Sequence, residues 1–589
     1  MLPSAVLSSA ARPTLPAGRQ LAVTWGIPEE FGGMTAAMLH RSRALASIAG
    51  ASVDIVTFDP APDASRTRQR LQEAGELLPE MQLRNVFEDL RSVGRPAIGV
   101  PVEPRAARRP HDEEESGPDG NVRRWRRGDD VLRVEHRRSD GSLALLDDRG
   151  AGSSSERLLT AFDETGATTG QWDAASALYF EWLDGLTGGE PAVAIVDSKA
   201  VARLMQRYRR PGVTLIYVVH GSHLAGQDPS RLDETRRGVF ENLHRWDAVV
   251  LQTERQRTDV INLLGDSGNL EVVPNPLTVP PTIRRLPPDR LHGVIVSRLS
   301  ALKRIDHALR IVAAVRDMGL PVTLDIVGDG RQRSRLEREA ARLGLGHAVR
   351  FLGYAADGPE RFADAPWTLL TSRSEGGSLA LLEAMGTGCL PIAYDIRYGP
   401  EVIETGRNGW RVPDGDMNAA ARALAEACVL DDDRIAAMRR GAHRTALVRD
   451  DESVVARWAA VQRRSRARHE REPETDALLH RVRVRRLRGR YVVTAIVTAP
   501  HPASAAVEVR LRTRDRAPQR TRMRSLGRLR FARLSDEASA ALGDGPVRAR
   551  FAVTLPDDIV VIDAGSRHPD RRTLTRRLVD RARRTVGAG

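Results

Sequence analysis

Cysteine, lysine and long apolar runs are what this 589-residue sequence has least of. Its two cysteines, Cys389 and Cys428, indicate neither a disulfide framework nor a cysteine-based metal site, and they fit a reducing cytoplasm. No run of about twenty apolar residues is present to span a bilayer. The first twenty residues lack the basic start and apolar stretch of a secretory signal. Lysine occurs twice, at Lys199 and Lys303, and every other member of the 90 basic residues is arginine. GC-rich coding favours arginine, so a lysine inside a motif draws notice. The net charge of +13 suits an anionic surface or polymer. A chain of this length exceeds one core and predicts two or three domains.

What is there is organised around Trp367 to Gly388, W-T-L-L-T-S-R-S-E-G-G-S-L-A-L-L-E-A-M-G-T-G. Trp367 to Leu370 reads as a buried strand. Ser372, Ser374, Gly376 and Gly377 make a turn that allows close backbone approach. Ser378 is the expected N-cap of a helix running from Leu379 to Gly386. A glycine-rich turn feeding a helix N-terminus leaves N–H groups for a phosphate. Glu375 and Glu383, eight residues apart across that turn, suit a ligand with phosphate in the middle and hydroxyls at both ends. A nucleotide sugar fits that description. The same stretch is also compatible with an ordinary strand–loop–helix carrying two solvated glutamates.

In chain order, residues 1–20 read as a disordered lead. Residues 21–84 and 171–280 form a first Rossmann-like domain. It opens with strand Leu21–Trp25 and the turn Phe31-Gly32-Gly33-Met34-Thr35, and it delivers His220-Gly221-Ser222-His223 at a strand end. Residues 85–170 interrupt it: a polar, Pro-rich linker with acids at Asp112 to Glu115, then alternating runs with Gly-Asp and Asp-Gly turns that predict a β-rich insertion. Residues 281–469 form a second Rossmann-like domain. There Arg298 and Lys303 flank a strand-to-helix loop and can turn two cations toward a diphosphate. Its last helix is expected to fold back against the first domain. Asp414-Gly415-Asp416 reads as the start of a helix rather than a metal site. Residues 470–589 are Arg-rich and read as a basic β-sandwich with a helical tail from about Pro569.

Taken in order, Phe31-Gly32-Gly33-Met34-Thr35, the β insertion, His220-x-Ser222-His223, Ser297-Arg298-Leu299 with Lys303, Glu375-x7-Glu383, and Tyr394-Asp395 with Tyr398-Gly399-Pro400 resemble family-4 retaining glycosyltransferases of the GT-B fold. More closely, they look like the poly(glycerol-phosphate) α-glucosyltransferases of wall teichoic acid synthesis and their relatives. The resemblance spans about residues 20–468. It implies an α/β fold of two Rossmann-like domains facing a cleft, with an all-β insertion in the first and a β-rich C-terminal appendage.

The resemblance also implies roles. Gly33 lets the backbone approach donor phosphate or acceptor. Arg298 and Lys303 bind the diphosphate and stabilise the leaving nucleoside diphosphate. The backbone near Tyr354 meets the base. Glu375 holds the sugar hydroxyls and Glu383 the ribose. Gly377, Ser378 and Leu379 line the phosphate, and His220 lies by the reactive face of the sugar. The implied reaction moves a hexose, glucose or N-acetylglucosamine, from a UDP-sugar to a hydroxyl of a cell-wall polyol-phosphate polymer. It needs no metal or other cofactor. The implied partners are the nucleotide sugar and an anionic glycopolymer, with no nucleic acid. A cytoplasmic location, peripheral contact with the inner membrane face and a homo-oligomer all accord with this. Two alternatives stay open: a Ser/Thr protein O-glycosyltransferase, and an inactive polymer-binding relative. The latter should have lost the cations or the glutamate pair, and here all four are present.

Overall fold

The computed structural model describes residues 13–60, 63–92, 113–116, 120–149, 157–287, 289–355 and 357–470, together with the strands and one helix of the segment from 479 to 567. Residues 1–12 of the expected lead, most of the 95–120 linker and the expected tail from Pro569 lie outside the described residues. Two compact units result. One comprises residues 1–222, 248–254 and 271–466; the other comprises 223–247, 255–270 and 467–589. Residues 223–247 and 255–270, which the sequence assigns to the first Rossmann-like domain, fall in the second of these units.

The first unit holds three sheets. The first contains β1 (Arg19–Val23), β2 (Val53–Thr57) and β3 (Met81–Asn85). The chain then leaves it for an antiparallel meander of β4 (Glu113–Ser116), β5 (Val122–Arg127), β6 (Asp130–Arg137), β7 (Leu143–Asp148), β8 (Leu158–Phe162) and β9 (Thr168–Trp172). It returns with β10 (Ala192–Val196), β11 (Val213–Val218), β12 (Ala248–Leu251) and β13 (Leu270–Val272), giving the order β13-β12-β11-β10-β1-β2-β3. Strands β10 and β2 are buried along their whole length, as strands of a sheet covered on both faces must be.

The acidic run expected in the linker is in fact edge strand β4. It pairs with Arg-rich β5, where Glu115 meets Arg126 at 3.1 Å and Glu114 meets Arg123 at 3.7 Å. Opposite charges across a strand pair supply the local preference that composition alone read as linker. The meander is tied to the first domain by Phe87, whose ring stacks on buried His136 at 4.4 Å between centroids. Burial pushes that imidazole down to about 3, so it is a neutral core residue.

The second α/β sheet contains β14 (His292–Val296), β15 (Thr323–Val327), β16 (Val349–Gly353), β17 (Trp367–Leu370), β18 (Leu390–Tyr394) and β19 (Trp410–Val412). All are parallel, in the order β16-β15-β14-β17-β18-β19. In such doubly wound sheets the crossovers diverge where the order reverses, and a crevice opens beyond the carboxyl ends of the two strands there. In the second sheet those strands are β14 and β17; in the first they are β1 and β10. Trp367, fully buried in β17, and the Ile305–Asp317 helix anchor the second core. The Asp451–Glu470 helix returns to the first domain, burying Val454, Val455, Trp458 and Val461 in its core.

In the second unit, the strands Leu479–Leu487, Arg490–Val497, Leu529–Arg533 and Arg524–Leu526 form one antiparallel sheet in that order. Gln519–Arg522, Ala506–Arg512, Val547–Thr554 and Ile559–Arg567 form another. Tyr491 and Val493 from one and Val509 and Phe551 from the other share a single buried cluster. In the same unit His223 is buried and stacked on Phe240 at 5.4 Å, the place of a core histidine.

Candidate functional site: a cation and two carboxylates at the switch points

The loops after β14 and β17 lie side by side. Arg373 N–H donates to the Leu302 carbonyl at 2.8 Å, and Thr371 Oγ1 donates to the carbonyls of Lys303 at 3.0 Å and Arg304 at 2.9 Å. Arg304 completes the tie from the other side. Its guanidinium donates to the carbonyls of Thr371 at 2.8 Å and Ser372 at 2.7 Å, pairs with Asp414, and lies over the Tyr394 ring. It does so from a left-handed backbone with φ of 46°, a conformation costing about 1 kcal/mol or more for a residue with a side chain. The buried contacts of its guanidinium offset that strain. Sequence reading passed over Arg304 because one arginine in an Arg-rich chain carries no signal.

The tie holds Lys303 so that its Nζ donates to Glu375 Oε1 at 2.6 Å, both side chains largely covered. Glu375 is itself fixed through its backbone: its N–H reaches the Arg397 carbonyl at 3.3 Å and its carbonyl accepts from Tyr398 N–H at 3.3 Å. Glu383 lies in the Leu379–Thr387 helix. Burial pushes its carboxyl up to about 7, and the nearby Lys303 charge pulls the other way. One lysine thus acts electrostatically on both predicted carboxylates.

Ser378 precedes that helix, as expected, but it does not cap it. Its backbone is left-handed at φ 41° and its hydroxyl makes no capping bond. The turn from Gly376 to Ser378 is too tight for the extended N-cap conformation that a serine cap needs. The N–H groups of Ser378 and Leu379 consequently meet no acceptor among the described residues, while Leu381 N–H turns back to the Ser378 carbonyl at 3.1 Å. A helix start with unused donors is where an anion binds. Tyr354, just past β16, is 45% exposed, and Leu352 is 47% exposed, so an open surface flanks the base position the sequence predicts.

Across the cleft, Gly376 packs on the first domain. A Cβ there would stand 2.7 Å from the His220 carbonyl oxygen and 2.8 Å from the Gly221 nitrogen. Gly377 backs onto Gln252 in the same way, 2.8 Å from its Cβ. Arg298 crosses in the other direction, to the Gly32-Gly33 turn. A Cβ on Gly33 would meet nothing within 4 Å, whereas one on Gly32 would stand 2.7 Å from Arg298 Nε. Gly32 is therefore the residue over which the guanidinium lies, and Gly33 opens the Gly33–Ala49 helix. The space over Gly33 stays open, so its backbone is accessible.

His220 follows β11 with its side chain 9% exposed. Its Nε2 lies 2.7 Å from Oδ1 of Asp197, the residue just past β10, and Asp197 is held by both terminal nitrogens of Arg41 at 2.8 and 2.7 Å. Neither Asp197 nor Arg41 was singled out in the sequence. An acid ending a switch-point strand was the available signal for Asp197. For Arg41 there was none. Among the described residues, no group of three or more His, Cys, Asp or Glu side chains is arranged to hold a metal ion. No described helix is long and apolar enough to cross a membrane.

Two Rossmann-like domains meeting across a cleft at both switch points define the GT-B architecture, and that fold is found in solved relatives. The chain shares it with TarM of S. aureus, solved with UDP and alpha-GlcNAc-glycerol, at a TM-score of 0.61 and 18% identity, covering 76% of this chain and 100% of that one. The pneumococcal O-GlcNAc transferase GtfA, solved with UDP and GlcNAc, superposes at 0.57 with 16% identity, covering 76% and 99%. Residues 284–443, which contain Arg298, Lys303, Glu375 and Glu383, match the family model described as glycosyl transferases group 1. In sequence the chain is similar to the poly(glycerol-phosphate) alpha-glucosyltransferase of Bacillus subtilis (strain 168), 26% identical over 249 residues, 41% of this chain and 37% of that protein. It is also similar to the poly(ribitol-phosphate) alpha-N-acetylglucosaminyltransferase of Staphylococcus aureus (strain COL), 25% identical over 245 residues, 41% of this chain and 49% of that protein. These alignments span less than half of each relative's length.

Proposed function

We propose that the chain is a retaining glycosyltransferase that moves a hexose from a UDP-sugar to a hydroxyl of an anionic polyol-phosphate polymer. The observation that carries this reading is Lys303, which sits on Glu375, acts on Glu383 and stands with the unused N–H groups of Ser378 and Leu379. A diphosphate entering there gives Lys303 a stronger partner and frees Glu375 to accept bonds from the sugar. Glu383, ionised, takes the ribose hydroxyls. Charge that grows on the departing diphosphate meets Lys303, Arg298 and the helix N-terminus, an arrangement set before the reaction begins. That charge neutralisation supports a reaction without a metal. The departing phosphate stays on the face of the sugar that the acceptor attacks and takes the proton of its hydroxyl, which preserves anomeric configuration.

The polymer acceptor is supported by the net charge of +13 and by the two polyol-phosphate relatives. A peptide acceptor is the second reading, favoured by similarity to the UDP-N-acetylglucosamine–peptide N-acetylglucosaminyltransferase GtfA subunit of Streptococcus gordonii, 34% identical over 121 residues, 20% of this chain and 24% of that protein. Incubating the chain with a panel of nucleotide sugars and with poly(glycerol-phosphate), poly(ribitol-phosphate) or Ser-rich peptide separates the readings by the labelled product. No transfer and no donor hydrolysis with any sugar would refute the enzymatic reading altogether.

A further inference from the structure

His220 is placed by the fold where two sheets' carboxyl edges meet, and its ring is not left to chance. Asp197, completely buried, takes the ring Nε2 at 2.7 Å. Arg41, 3% exposed, grips both oxygens of that carboxylate. The guanidinium in turn lies 5.1 Å from the ring centre of Trp458, which belongs to the returning Asp451–Glu470 helix. Burial alone would push the Asp197 carboxyl up, but the Arg41 charge and the bonds from Arg41 and His220 outweigh it and hold it below the usual carboxylate range. The aspartate is therefore ionised, and an ionised carboxylate can only accept, so Nε2 of His220 carries the hydrogen. Nδ1 has no hydrogen-bond partner among the described residues.

We propose that Arg41 and Asp197 are positioning residues for His220, acting as a buried relay that fixes the ring plane, with Nε2–H on Asp197 and Nδ1 turned toward a hydroxyl of the sugar. Each member has a separate task. The two-pronged contact with Arg41 fixes the plane of the carboxylate, and the carboxylate fixes the plane of the imidazole. Arg41 also balances the Asp197 charge. The opposing domain's loop packs on the His220 backbone through Gly376 and carries Glu375, paired with Lys303. The pattern explains why an arginine is buried in the Gly33–Ala49 helix, far in sequence from any motif.

The inference rests on the proposed transferase reading for what Nδ1 contacts, and its test has an arm that needs no substrate. The full-length protein is labelled with 15N-histidine, and the His220 ring signals are assigned by their loss in His220→Gln. Wild type should show the hydrogen-bonded proton on Nε2. In Asp197→Asn the Nε2–H preference should disappear, and in Arg41→Met it should weaken; the Asp197→Asn arm decides the matter if Arg41→Met does not fold. Turnover should fall on the order of 10–100-fold in Asp197→Asn and in Arg41→Met, with donor affinity little changed, and Arg41→Lys, which keeps the charge, should recover part of it. An unchanged ring signal and turnover in Asp197→Asn, or in folded Arg41→Met, overturns the relay. An inactive wild type with the expected ring signals would sink the transferase reading and leave the relay standing.

Discussion

If Glu383 holds the donor as proposed, donor affinity should depend on pH, and the dependence can be worked from its surroundings. In the free protein, burial raises this carboxyl to about 7, against the pull of Lys303. Ribose hydroxyls donate hydrogen bonds, so the bound form needs the carboxylate. Below pH 7 a proton must leave before the donor can bind, and affinity should fall tenfold per unit. If the bound carboxyl returns to an ordinary value near 4.5, a UDP-sugar should bind about 30-fold more weakly at pH 5.5 than at pH 8, or about 2 kcal/mol.

The assay is calorimetric titration with a non-transferable UDP-sugar, whose esterified diphosphate does not titrate in this range. Repeating it near pH 6.5 in buffers of different ionisation enthalpy should reveal a released proton. Stability runs the opposite way. A carboxylate whose folded value is raised has its most favourable contribution at low pH and loses it as pH climbs from the unfolded value toward 7, at a cost of about 3 kcal/mol. Glu383→Gln should therefore raise the first thermal transition above pH 7 while weakening donor binding. Affinity that is flat from pH 5.5 to 8, or a Glu383→Gln variant with the wild-type slope, would refute the reasoning.

Lys303→Ala should weaken UDP binding and slow transfer by roughly 10–100-fold each, the loss of a charge-assisted contact, and should move the pH response of donor binding upward. Normal kinetics would remove Lys303 from the site. Glu375→Gln should damage sugar transfer more than affinity for free UDP, and Glu383→Gln the reverse; titration of UDP into both variants decides the assignment. Gly376→Ala sets a methyl against the His220 carbonyl and should lower kcat/KM about 10-fold or more. Unchanged steady-state kinetics would contradict the packing described. Finally, raising salt should increase the KM for a polyol-phosphate polymer far more than the KM for the nucleotide sugar, since many weak phosphate contacts are screened together. A deletion from Glu470 onward that leaves the salt slope intact would exclude the basic C-terminal region as the polymer's contact.

Much of the fold was legible because its signals are local. Apolar runs marked strands such as Ala192–Val196 and Trp367–Leu370, glycines marked the turns after them, and the Glu375–Glu383 spacing with a rare lysine marked the donor side. Alternation marked the strands of the insertion, although the acidic β4 was read as linker because its reason for pairing, an Arg-rich neighbour, lies on another strand. The approach of Arg298 to Gly32 depended on where that side chain came to rest, and the left-handed Ser378 on the loop packed beside it.

The sequence by itself determined which elements form and where a glycine-rich turn precedes a helix, since periodicity and turn chemistry act over a few residues. Tertiary structure alone decided the partners. Arg41 and Asp197 stand 156 positions apart, and Lys303 and Glu375 stand 72 apart. They meet because the strand orders place β10 beside β1 and β17 beside β14, and strand order is settled by long-range packing that no short window of the chain contains.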